Sequence, residues 1–388
     1  MGSFVSRYST RWLKERYKEI YIRRDVLEKL QSIKSDKSYS DILDEMINIY
    51  ISYKNNKMNE VKQDEFHVDV KKMIDEVMSE NSEYIEENFK SDSEGKLIRY
   101  PGGDYFIFDD LNKYFMMSNA ETFVEVFGGS CHSSMNVSRE KFRVIICNDI
   151  DSLLINIFNM VKNSPELFLK RLSVFPVSRE LNMIAEAVID DPNIDVVTKS
   201  VMLFYLFRTS MSGIPRSGFS VNKKINIAKK YVITLASIKE YSKKIKDIIF
   251  ESKDYKDIIK LYDSEKTLFY LDPPYVSLSD RQSREKLYRF SFTVSDLKTL
   301  AAVLRNIKGD FVLKISEDNY KLIEKDLPEH EHVTMKKIRQ IDNTAQKEEG
   351  KRETWNVTIA YRIKNIKKEK NVSLLSKYIN NTSYRNMT

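Results

Sequence analysis

The residues best suited by type and spacing to do chemistry are Asp272-Pro273-Pro274-Tyr275. They follow Thr267-Leu268-Phe269-Tyr270-Leu271, an apolar, aromatic-rich run that predicts a buried strand. The two prolines donate no N–H and must end its ladder. Asp272 is therefore expected at a strand's carboxyl end, where open α/β sheets bind ligands. Its carboxylate and the rigidly aimed Pro273 carbonyl are two acceptors able to hold both N–H bonds of an exocyclic amine. Such an amine, its lone pair delocalised into a ring, is a poor nucleophile until those bonds are held. Tyr275 offers a flat face on which a base could stack, a contact of roughly 1–3 kcal/mol. Taken alone, the tetrapeptide also fits a strand-ending loop with a capping Asp.

Those residues need a sheet and a second ligand-binding turn to position them. Thr122 to Phe127 reads as an apolar strand running into Gly128-Gly129-Ser130, where a backbone without Cβ atoms admits a close ligand. A second strand, Arg143 to Cys147, ends at Asn148-Asp149, and an acidic residue about 20 positions after a glycine turn is placed to accept from ribose hydroxyls. Each piece read singly is a turn; their order favours a nucleotide-like cofactor. Arg99-Tyr100-Pro101-Gly102-Gly103 upstream reads by itself only as a turn.

The order Arg-Tyr-Pro-Gly-Gly, Phe127-Gly128-Gly129, Asn148-Asp149-Ile150 and Asp272-Pro273-Pro274-Tyr275 resembles the Dam-type adenine-N6 DNA methyltransferases over roughly residues 97–363. The resemblance implies an α/β, Rossmann-like sheet, S-adenosylmethionine as methyl donor, and duplex DNA as partner. It implies that Tyr100 and Gly103 line the cofactor cleft, that Phe127 and Gly129 pack on the cofactor, that Asp149 holds its ribose and that Ile150 covers its adenine. Phe250 and Asp254 would edge that adenine, and Asp272 would border the same site. Ser279 to Arg284 would form a mobile loop near a flipped-out base.

The sequence departs from the family in three places. Asp104 stands where the family usually has Lys after the Gly-Gly pair, the glycine turn is shortened to Gly128-Gly129-Ser130-Cys131, and Val126 replaces a common proline. Asp104 and the shortened glycine turn would also suit a DNA-binding regulator with a degenerate methyltransferase domain, and because Asp-Pro-Pro-Tyr-like loops serve other planar amines, a methyltransferase acting on RNA or a protein amide is a further reading.

About 120 residues separate Asp149 from the catalytic strand, more than a crossover needs. The resemblance makes this a mostly helical target-recognition insertion, set at about 163–262. Within it Val201 to Arg208 reads as a buried helix, followed by a Gly- and Pro-containing loop or hairpin to Phe219. Arg208 and Arg216 are candidates for guanine or phosphate contacts, or are solvated surface arginines. Lys223, Lys224, Lys229 and Lys230 would suit a DNA backbone. Further on, Phe311 to Ser316 and Trp355 to Arg362 read as strands.

Residues 1–53 suggest a strand, Glu19 to Arg23, and two helices, a pattern that resembles a ribbon-helix-helix DNA-binding domain or is a plain helical extension. The resemblance implies a homodimer with Tyr21 and Arg23 facing bases. Residues 54–96 read as an acidic, partly helical connector, and 364–388 as a basic and polar tail.

Composition agrees with this reading. The 388-residue chain carries a net charge of +7, unevenly spread: residues 54–98 hold 7 Lys against 12 Asp and Glu, so the remainder is basic enough to approach a polyanion. No apolar run of about 18 residues is present, so neither a membrane span nor a secretory leader is expected and a cytoplasmic location fits. Two cysteines, Cys131 and Cys147, are too few for a disulfide framework or a cysteine-rich zinc site. His330 and His332, lacking a third ligand, read as a solvated loop and no metal is expected.

Overall fold

The computed structural model describes residues 97–221, 226–276, 288–338 and 354–364. The following concerns the compact unit that these residues form, residues 192–195 apart. The ribbon-helix-helix segment, the acidic connector and the tail beyond 364 lie outside the described residues.

A seven-stranded sheet in the order β3-β2-β1-β4-β5-β7-β6 organises the unit. Its elements run α1 (Phe108–Met117), β1 (Thr122–Glu125), α2 (His132–Asn136), β2 (Val144–Asn148), α3 (Ser152–Asn163), α4 (Pro165–Ser173), α5 (Arg179–Val188), α6 (Val196–Thr209) and α7 (Ile227–Ile245). They continue with β3 (Ile248–Glu251), α8 (Tyr255–Tyr262), β4 (Thr267–Leu271), α9 (Val294–Arg305), β5 (Asp310–Ser316), α10 (Glu317–Ile323), β6 (Glu331–Ile338) and β7 (Thr354–Arg362). Strands β3, β2, β1, β4 and β5 are parallel, while β7 runs antiparallel to β5 and to β6.

Parallel strands covered by helices on both faces read as continuous apolar runs, and β4 is buried along its whole length. Phe269 and Leu271 pack with Leu297, Leu300 and Leu304 of α9 in one core cluster. Each such side chain contributes roughly 1.5–3 kcal/mol by leaving water. Helix α9 starts at a capping box: Thr293 Oγ1 accepts the Asp296 N–H while the Asp296 carboxylate accepts the Thr293 N–H.

From β1 the chain winds outward through β2 to β3, then returns to place β4 on the other side of β1. The carboxyl ends of β1 and β4 thus flank a topological switch point, where the crossovers diverge and leave a crevice. The Gly128-Gly129 turn and Asp272 come from these two strands.

Helices α4 to α7 fill most of the span expected for the insertion. The stretch 248–262 does not belong with them, because β3 pairs in parallel with β2 and α8 packs under the sheet. Its four-residue strand is too short for periodicity to separate it from the helical region around it. Helix α6 is almost wholly buried, and beyond it Ser210 bridges Phe219, which closes the loop into a hairpin-like turn.

Cys131 and Cys147 form a disulfide. Counting cysteines excluded a framework but did not anticipate this single bridge. Parallel pairing of β1 with β2 brings the turn after β1 over the end of β2, which places the two side chains together. Among the described residues no helix is long and apolar enough to cross a membrane.

Candidate active site

Two consecutive turns at the switch point build one cleft. Gly128 donates its N–H to the Asn148 carbonyl at 2.6 Å, and a Cβ there would lie 2.5 Å from Cys147 Sγ. Gly129 has φ +50°, and a Cβ on it would meet the Tyr100 ring at 2.8 Å. The turn lies against Cys147 on one side and Tyr100 on the other only because neither residue has a side chain. Val126, in place of the family's proline, donates its N–H to the Tyr270 carbonyl at 2.9 Å, a bond proline cannot make.

Asp149 closes the turn from β2. Its Oδ2 accepts the Gly129 N–H and its Oδ1 the Asp151 N–H, both at 2.9 Å. Burial pushes its carboxyl up to about 6, against the pull of those two bonds. Beside it Ile150 is 47 % exposed, an apolar surface facing the cleft. An aromatic wall stands opposite: Phe127 lies 5.8 Å from Tyr255 and 5.6 Å from Phe292, and Tyr100 lies 6.0 Å from Tyr288. Arg289 reaches across to Asp151 at 2.6 Å.

Strand β4 brings Asp272 into the same cleft with Pro273, Pro274 and Tyr275. Leu271 pairs with Leu313 on β5, so the next residue of each strand, Asp272 and Lys314, come side by side. Lys314 Nζ donates to Asp272 Oδ2 and to Asp104 Oδ1, each at 2.6 Å. Burial pushes the Asp272 carboxyl up to about 7, with Lys314 opposing the rise. Glu125, buried at the end of β1, accepts the Ser134 N–H at 2.7 Å and is raised to about 8 by its burial.

Of the residues expected from sequence, Tyr100, Gly103, Phe127, Gly129, Asp149, Ile150, Asp254 and Asp272 to Tyr275 all line this cleft. Asp254 also caps α8, accepting the Lys256 N–H at 2.9 Å. Phe250 does not line it; it stacks on Phe158 of α3 at 5.2 Å, because alternation along β3 turns that side chain toward the helix. Arg208 is 9 % exposed within α6. Arg216 is half-exposed and paired with Asp190. Lys229 and Lys230 occupy the first turns of α7. Tyr21, Arg23, Lys223, Lys224 and the loop Ser279 to Arg284 lie outside the described residues.

Sequence reasoning missed Lys314, Tyr270, Tyr288, Arg289 and Phe292. Lys314 carried a signal: a lone lysine inside Phe311-Val312-Leu313-Lys314-Ile315 must find a counter-charge if the strand is buried. His330 is not simply solvated, since its Nε2 is bonded to the Tyr320 hydroxyl at 2.9 Å. Among the described residues no acidic, His or Cys cluster could hold a metal.

The cleft fits an adenosine-bearing cofactor: a side-chain-free turn, a preset carboxylate beside an exposed aliphatic residue, and an aromatic wall. No curated protein sequence matches the chain. The profile of the D12 class N6 adenine-specific DNA methyltransferases matches residues 100–341, from Tyr100 through both turns and Asp272 to beyond β6. That match covers well over half of the chain and every element that builds the cleft, and the protein belongs to this family of S-adenosylmethionine-dependent methyltransferases acting on adenine N6 in DNA.

Proposed function

We propose that the protein methylates adenine within a specific short site of duplex DNA, on a base turned out of the helix into the cleft. The observation that carries this reading is the meeting of two turns at one switch point: Gly128-Gly129 with Asp149 on one side, Asp272 to Tyr275 on the other. Tyr100, Phe127, Gly129, Asp149 and Ile150 would hold the cofactor, with Asp149 on its ribose. S-adenosylmethionine, when bound, supplies the electrophilic methyl group.

Asp272 and the Pro273 carbonyl accept the two N–H bonds of the target amine. This removes the amine from competing water and aims its lone pair. No covalent bond to the enzyme is needed. Tyr275 stacks the extruded base, offsetting part of the few kcal/mol that unstacking costs. Arg216 and the lysines at 223, 224, 229 and 230 are the candidate DNA contacts of the insertion. Tyr21 and Arg23 are those of a dimeric N-terminal domain.

A degenerate methyltransferase domain is less well supported, because Asp104 is ion-paired with a buried lysine and both glycine N–H groups of the short turn are hydrogen-bonded. The deciding experiment incubates duplex DNA with enzyme and S-adenosylmethionine, then reads modified bases by methylation-sensitive sequencing. N6-methyladenine at one recurrent site is expected, and Asp272→Ala should abolish it while DNA binding persists. Equal activity in that variant would sink the assignment.

A further inference from the structure

A lysine inside a buried strand is costly unless its charge is paired and its donors are used. Lys314, 3 % exposed, spends all three: Nζ donates to Asp104 Oδ1 and Asp272 Oδ2 at 2.6 Å and to the Gly102 carbonyl at 3.0 Å. Asp104 is anchored in turn. Its Oδ2 accepts from the Tyr270 hydroxyl at 2.7 Å and from Ser133 Oγ at 3.1 Å. The relay from Tyr270 and Ser133 through Asp104 and Lys314 to Asp272 crosses from β4 and α2 to β5 and back to the loop after β4.

We infer that Lys314 is a positioning residue for the methylation reaction: anchored by Asp104, it fixes the direction of the Asp272 carboxylate, which the Tyr275 hydroxyl also bonds, and compensates its charge. The inference rests on the adenine-methylating reading of this cleft. It gives the reversal at position 104 a physical meaning. A cation is still supplied beside Asp272, but from β5 instead of from the Gly-Gly turn, and Asp104 is the anion that holds it there.

The titratable and charged groups around Asp272 are Lys314 from β5, Asp104 from the turn after Gly103, Tyr270 from β4 and Tyr275 from its own loop; Glu125 on β1 faces Asp104. Burial raises the Asp272 carboxyl first, and the Asp104 charge adds to the rise. Lys314 and Tyr275 favour the ionised form. Removing Lys314 and removing the charge of Asp104 should therefore move Asp272 in opposite directions.

The test follows the Asp272 side-chain carboxyl by carbon NMR in aspartate-labelled full-length protein, assigned by the resonance lost in Asp272→Asn. Single-turnover methyl transfer to duplex DNA is measured across the same pH range. Lys314→Met should raise the Asp272 midpoint and slow transfer at neutral pH by about tenfold to a hundredfold, the order of loss from a misplaced reacting group. Its cofactor Kd should stay within about threefold, a change of well under 1 kcal/mol. Asp104→Asn should lower the midpoint, since it removes a repelling charge and leaves Lys314 to Asp272. An unchanged midpoint in Lys314→Met, or both variants moving the same way, overturns the inference. Should Lys314→Met fail to fold, Asp104→Asn decides alone, and an unchanged or raised midpoint there is a refutation. Opposite shifts in the two variants, with no methyl transfer by the wild-type protein, would uphold the bracing of Asp272 and defeat the reading of the reaction.

Discussion

Asp149 Oδ2 accepts the Gly129 N–H at 2.9 Å, joining the turn after β1 to the end of β2. The second oxygen is taken by the Asp151 N–H, so both bonds come from backbone just beyond the ends of β1 and β2. A carboxylate held this way needs little reorganisation when a ligand arrives, which is the advantage of a preset acceptor. If Asp149 holds the cofactor ribose as proposed, cofactor binding depends on the charge of one buried group.

That charge sets a pH dependence. Burial holds the folded Asp149 carboxyl at about 6, above its ordinary 3.8. A raised folded value stabilises the fold fully below the unfolded value and loses that contribution as pH rises through about 6. The proposed ribose contact would run the other way, because it needs the ionised acceptor. Affinity for S-adenosylmethionine should weaken as pH falls below about 6, and Asp149→Asn should bind weakly at every pH. Calorimetric titration between pH 5 and 8 checks both; persistence of the same pH dependence in Asp149→Asn would place it on another group.

Gly129 and Tyr100 should be coupled. A Cβ at 129 would lie 2.8 Å from the Tyr100 ring, with φ at +50°. Gly129→Ala should cost about 1–2 kcal/mol from backbone conformation alone, with further loss from displacing the ring. Tyr100→Ala in the same chain should recover the steric part and leave the backbone part. A thermal-melt double-mutant cycle measures this, and additive losses would mean that the ring moves aside freely.

The parallel core of the fold could be read from sequence because buried strands are continuous apolar runs and the prolines mark where β4 stops. Asp272, Asp149 and the glycine pair were legible for the same reason: each sits next to a strand end that the pattern defines. What was not legible is lateral. Lys314 meets Asp272 only through the β4–β5 register, and Tyr270 reaches Asp104 across 166 residues of sequence. Periodicity says which face a residue occupies, not which strand lies beside it. The Cys131–Cys147 bridge was unforeseen for that reason, whereas Phe250 was missed because β3 is too short for its alternation to be read.

Arg289 ties the segment 288–292 to the cofactor side of the cleft. It meets Asp151 at 2.6 Å, with side-chain exposures of 20 % and 8 %, while Tyr288 and Phe292 pack on Tyr100 and Phe127. Arg289→Ala should raise KM for S-adenosylmethionine by about fivefold, roughly 1 kcal/mol, with kcat nearly held. Steady-state kinetics at saturating DNA decides it. A drop in kcat with KM unchanged would place Arg289 in the chemical step instead.

Asn148 should be the most stability-sensitive polar residue of the cleft floor. It is 1 % exposed and bonds two strand ends: Nδ2 donates to the Val126 carbonyl at 2.9 Å and the Lys253 carbonyl at 3.0 Å, and Oδ1 accepts the Lys253 N–H at 2.9 Å. Asn148→Ala strands these groups where no side chain can replace the partner, at about 1–3 kcal/mol for each that stays unsatisfied. Asn148→Asp keeps the acceptor for the Lys253 N–H but sets a carboxylate against two carbonyl oxygens, so it should melt no higher than the alanine variant at pH 7 and recover in acid, where protonation restores a donor. Melting both variants across pH 4–8 tests the point. An aspartate variant that is stable at neutral pH and loses stability in acid would show that the Val126 and Lys253 carbonyls do not depend on the amide.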